Sequence, residues 1–75
     1  MKVMLYEVIF RATETLQNGN ERTINKSVFM KPFDETTGKH NSPERQIEKG
    51  LAALKAEHYY NIKYVGTKIK TITFA

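Results

Sequence analysis

A chain of 75 residues holds one domain, near the lower limit at which a single core stabilises itself without disulfides, a metal or a partner subunit, so a homodimer is expected. The absence of cysteine excludes a disulfide framework and a thiolate metal site and suits a reducing cytoplasm, while no apolar run reaches bilayer-spanning length and Met1 to Phe10 is too short and strand-like for a signal peptide. The formal charge is +4, and Lys63, Lys68 and Lys70 follow Asn61 with no acid among them; such a stripe attracts phosphate or an acidic protein, or guards an exposed sheet edge.

From Val3 to Ala12 the sequence reads VMLYEVIFRA. Met4, Tyr6, Val8, Phe10 and Ala12 form one apolar face, and Val3, Leu5 and Ile9 share the other with Glu7 and Arg11. A strand apolar on both sides belongs in the middle of its sheet.

Asn18-Gly19 is the strongest turn signal in the chain. A two-residue loop sets Phe10 opposite Ser27 and Val8 opposite Phe29. A three-residue loop over Gln17, Asn18 and Gly19, with Gly19 left-handed, sets Ala12 opposite Ile24, Val8 opposite Val28 and Tyr6 opposite Met30. Only the second gathers apolar residues on one face, and a slip of one residue inverts every side chain, so it is preferred. The second strand then runs over about Arg22 to Lys31, with Lys26 interrupting the inward row opposite Phe10 and Phe29 pointing the other way. Pro32 ends it, and PFDETTGKHN reads as a polar connection without an element of its own.

Ser42 to Tyr60 carries the one helical signal: a Ser42 cap, Pro43 at the first helical position, Glu44 at the positive end of the dipole, and Ile47, Leu51, Leu54 and His58 on one face. Gly50 lies toward the sheet in mid-helix, where it costs about 1 kcal/mol relative to Ala; close packing over Tyr6 or Phe10 is the ordinary reason, and a binding notch the alternative. After Asn61 and IKYV, a last strand runs through KIKTITF. Ile69 and Ile72 are three apart, so either a bulge separates them or only Ile72 and Phe74 face the helix. The expected fold is α+β, a ββαβ order with a right-handed crossover, sheet order 2-1-3, and one helix on one face.

No constellation of residues points to catalysis. His40 and His58 have neither helical nor short-loop metal spacing, even with Asp34 and Glu35 near His40. Ser42 is spent as a cap, and no phosphate loop, nucleophile elbow or carboxylate pair with a pocket to sit in is present. The chain is therefore read as no enzyme, with no catalytic residue, cofactor, metal or small-molecule substrate. The helix exterior balances Glu44, Glu48 and Glu57 against Arg45, Lys49 and Lys55, unlike a membrane-surface helix.

The second sheet face is the main functional lead. Val3, Leu5, Ile9 and Phe29 share it, and one helix cannot cover both sides of a sheet, so these four are candidate protein-binding residues for an identical subunit or another protein. The competing arrangement folds residues 32 to 42 under the sheet with Phe33 filling the gap. A second function follows from Phe29 flanked by cations: stacking and phosphate contact with RNA or single-stranded DNA, with Arg11, Lys31, Lys68 and Lys70 as candidates. The strand, strand, helix, strand order resembles small ribosomal proteins of the L18a/LX type, and also small phage and plasmid products, which implies an accessory protein of phage or mobile-element type. The likeness is one of element order and transfers no residue.

Overall fold

A computed structural model describes residues 1–74. Its elements are β1 (Lys2–Thr15), β2 (Glu21–Met30), β3 (Phe33–Asp34), β4 (Lys39–His40), α1 (Pro43–Ala56) and β5 (Tyr60–Thr73). β1 is the central strand of a three-stranded sheet in the order β2-β1-β5, antiparallel to both neighbours. β2 and β5 therefore run in the same direction, and α1 makes the crossover between them. The fold is the expected small α+β domain with one helix on one face.

The turn sets the register. Leu16 N–H donates to the Asn20 carbonyl at 2.7 Å, and Gly19, at φ +86°, occupies the left-handed region that its missing Cβ makes accessible. Tyr6 then pairs with Met30, Val8 with Val28, Phe10 with Lys26 and Ala12 with Ile24, the ladder of the three-residue loop. Lys26 keeps its place in this inward row by carrying its ammonium over the Tyr59 ring, 5.4 Å from the centroid.

The core is small: Val8, Phe10, Ala12 and Leu54 are buried, with Tyr6, Val28, Met30, Ile47, Leu51, Tyr59 and Ile62 packed around them. Ser42 Oγ accepts from Arg45 N–H at 3.4 Å and Pro43 opens the helix, as its sequence requires. Gly50 is buried because a Cβ there would strike the ring carbons Cε1 and Cζ of Phe10.

Three expectations need correction. First, the helix ends at Ala56 and does not reach Tyr60. His58 takes φ +70°, its N–H donates to the Lys55 carbonyl at 3.0 Å, and Tyr59 N–H reaches back to the Leu54 carbonyl at 3.0 Å. This is a Schellman ending, with Tyr59 tucked against the core that holds Leu54 and His58 turned out to solvent.

Second, the connection after Pro32 contains an element. β3 and β4 pair Phe33 with His40 and Asp34 with Lys39. Local and tertiary contacts both hold this hairpin: Thr36 N–H donates to Asp34 Oδ1 at 2.9 Å and Gly38 N–H to the Asp34 carbonyl at 2.8 Å, and the helix adds charge pairs. Asp34 takes a hydrogen-bonded ion pair from Lys49 and lies 3.8 Å from the Arg45 guanidinium. The hairpin also sits on the helix side, where His40 Nε2 lies 3.3 Å from Tyr6 Oη, so it does not fold under the sheet, and Phe33 stays half exposed.

Third, no bulge separates Ile69 from Ile72: the β1–β5 ladder is continuous from Lys2 opposite Thr73 to Ile9 opposite Gly66. Ile69 pairs with Tyr6 and faces the helix side, whereas Ile72 pairs with Val3 and faces away. The irregularities fall earlier in β5, between the partners of Ile9 and Phe10 and between those of Arg11 and Thr13.

A polar chain, buried at Gln46 and Asn41 and exposed at Tyr64, ties the helix to the sheet. Thr67 Oγ1 donates to Gln46 Oε1 at 2.8 Å, so the Tyr64 hydroxyl, 2.8 Å away, donates to Thr67. Gln46 Nε2 donates to the Asn41 carbonyl at 2.8 Å, and Asn41 Nδ2 to the Lys31 carbonyl at 2.7 Å. Gln46, though polar, is thus satisfied where the helix meets β5 and the end of β2.

Candidate interaction face

Strand alternation sorts β1 into two sides. Tyr6, Val8, Phe10 and Ala12 meet the helix, and Val3, Leu5, Glu7, Ile9, Arg11 and Thr13 form the opposite face. The register adds Phe29 opposite Glu7, Ser27 opposite Ile9, Asn25 opposite Arg11 and Thr23 opposite Thr13 from β2. From β5 it adds Ile72 opposite Val3, Lys70 opposite Leu5, Lys68 opposite Glu7 and Gly66 opposite Ile9. All contacts of α1 and of the β3–β4 hairpin described above lie on the helix side. A Cβ built on Gly66 would meet nothing within 4 Å.

The four apolar candidates Val3, Leu5, Ile9 and Phe29 are therefore brought onto one side, with Phe29 53 % exposed. Ile72 joins them, and Phe74 continues that side two residues on, its N–H donating to the Met1 carbonyl at 2.7 Å. Neither was a candidate from sequence, because the side that Ile72 takes depends on where β5 bulges.

At the end of the sheet that holds both termini, β1 extends past β2. Pairing with β2 begins only at Tyr6, so Lys2–Leu5 pairs with β5 alone and leaves its other edge free. The helix does not cover this ribbon either: Met4 is 49 % and Ile69 65 % exposed on its side. The Cα radius of gyration is 14.0 Å, against about 11 Å for a compact chain of this length. The accessible surface is 5480 Å², roughly 750 Å² more than a folded monomer of this mass exposes.

Polar groups on the open face are organised around Glu7. Its carboxylate accepts from Ser27 Oγ at 2.7 Å and lies 3.7 Å from Lys70 Nζ. Of the nucleic-acid candidates, Arg11, Lys68 and Lys70 share this face, and Lys63, opposite Arg11, joins them. Lys31 does not belong to the group. It lines a separate concavity of about 300 Å³ with Phe33, Asp34, Asn41 and Lys49, where the charges of Asp34 and Lys49 are already spent on each other.

Among the described residues, no helix is long and apolar enough to cross a membrane, and no group of three or more His, Cys, Asp and Glu side chains converges as metal ligands would. No protein-family model matches the chain, and neither the curated proteins nor the solved structures compared with it include a significant match.

Proposed function

We propose that the protein is a non-enzymatic binding module that works by protein–protein contact through the open sheet face and its terminal ribbon, with a second copy of the chain as the occupant. The observation that carries this reading is that helix and hairpin pack on the same side of the sheet, leaving Val3, Leu5, Ile9, Phe29 and Ile72 without a second layer. The surface excess of roughly 750 Å² is close to the ~800 Å² that each partner buries in a standard-size interface. Self-association also answers a need of the fold, because a core of four fully buried apolar side chains is small for a chain that stands alone. Phe29 and Ile72 are 53 % and 40 % exposed, so burying what remains against a partner contributes about 1 kcal/mol each. An NMR dilution series tests the reading: amide resonances of Val3, Leu5, Ile9 and Phe29 move with protein concentration, and resonances that stay fixed from dilute to concentrated solution contradict it.

A second reading, binding of RNA or single-stranded DNA, is favoured by one observation: Arg11, Lys63, Lys68 and Lys70 occupy the open face, where the ladders place two acids, Glu7 and, opposite Thr15, Glu21. It predicts affinity that falls steeply with salt and is lost when Lys68 and Lys70 are replaced by Glu. Contact with a second copy through the apolar end changes little with salt.

A further inference from the structure

We infer that the open face carries a phosphate-binding notch between Arg11 and Lys63. At this point β5 departs from regular pairing with β1: Arg11 pairs with Lys63 but Thr13 with Tyr60, so β5 spends an extra residue, and Asn61 takes φ +50°. A bulge of this kind bends its strand and re-aims the side chains on it. The result is a concavity of about 280 Å³ lined by Arg11, Thr13, Thr23, Asn61 and Lys63, several times the ~30 Å³ of a water molecule.

The lining is built for an anion. Arg11 and Lys63 are direct cross-strand partners, an arrangement in which like charges repel. Among the described residues neither lies within ion-pair distance of a carboxylate. The Arg11 guanidinium is steadied by one bond to Asn25 Oδ1 at 3.3 Å, which leaves most of its donors unspent. Thr13 Oγ1 and Thr23 Oγ1 lie 2.9 Å apart, so one proton joins them and the other hydroxyl keeps a proton to donate. Two cations from neighbouring strands and a hydroxyl line one concavity, donors of the kind that the several oxygens of a phosphate group accept. The bound anion removes the repulsion that the free protein carries. This holds whichever partner the apolar end takes, because the notch lies at the other end of the face.

The test is an NMR titration of the full chain at constant ionic strength, with inorganic phosphate in one arm, a short oligothymidylate in another and chloride as the control. Saturable shifts at the amides of Arg11, Thr13, Thr23, Asn61 and Lys63 are expected. K63Q weakens them about tenfold, the loss of one charge-assisted hydrogen bond. K39Q, on the distant hairpin, leaves them unchanged. Because K63Q also removes the like-charge pair, its melting temperature in phosphate-free buffer rises, and a given phosphate concentration raises it less than it raises that of the parent. Response to inorganic phosphate identifies a free phosphate group as sufficient ligand; response to the oligothymidylate alone assigns the notch to the nucleic-acid backbone. Absence of saturable shifts in both arms, or equal weakening by K39Q and K63Q, overturns the proposal.

Discussion

The ring of Phe10 occupies the space that a Cβ on residue 50 would need. Phe10 is fully buried and meets Tyr64 edge-on at a centroid distance of 5.8 Å, so it has no free end to swing aside. Gly50 thus sets how closely α1 approaches the sheet.

Gly50→Ala gains up to about 1 kcal/mol of helix propensity and meets an overpacking cost of about 1–3 kcal/mol. The expected outcome is a net loss of about 1 kcal/mol in urea unfolding, partly recovered when Phe10→Leu shrinks the opposing side chain. A G50A variant more stable than the parent would show that the helix does not sit this close.

His58 occupies the C′ position of α1 at φ +70°, where an L side chain costs about 1–2 kcal/mol. His58→Gly keeps both Schellman hydrogen bonds and removes that strain, so it should raise the unfolding free energy by about 1 kcal/mol. A lower urea midpoint for H58G would contradict the assignment of the helix end.

Asp34 anchors the β3–β4 hairpin, and its carboxyl is held at about 2 against an ordinary 3.8. The hydrogen bond from Lys49 is the largest cause. Burial pulls the other way, while the N–H groups of Thr36 and Thr37 and the charge of Lys49 add to the lowering. A carboxylate whose pKa is depressed on folding contributes stability that is complete above its unfolded value and disappears as pH falls through its folded value. Asp34→Asn should therefore be less stable than the parent at neutral pH, with the difference closing as pH falls from about 4 to about 2. A difference that persists unchanged at pH 2 would assign the effect to something other than this ion pair.

Where local chemistry decides the structure, it can be read in the chain. Asn18-Gly19 and the apolar residues beyond it select one hairpin register, and Ser42-Pro43 starts the helix where it should. The apolar residues on both sides of β1 mark it as central, and its alternation groups Val3, Leu5 and Ile9 on one face.

Where partners distant in sequence decide, the chain misleads. His58 keeps the helical apolar period, yet the helix has already closed on Leu54 and Lys55. The β3–β4 hairpin depends in part on Lys49 and Arg45 from the helix. The bulges of β5 lie before Ile69, so Ile72 faces away from the helix where both expected arrangements turn it inward, and they bring Lys63 to Arg11, a juxtaposition that alternation along β5 alone could not show.

The solution mass of the wild type and of Phe29→Asp, measured by light scattering at low and high salt, decides whether the open face is a contact surface. Phe29 is 53 % exposed and outside the core, so F29D costs little packing, but it sets an aspartate opposite Glu7, and circular dichroism of the variant must show the parent's spectrum for the mass to count. The wild type should be a dimer, insensitive to salt, and F29D a monomer. A wild type that is monomeric at every concentration, or a dimer that F29D leaves intact, would contradict a contact role for this face.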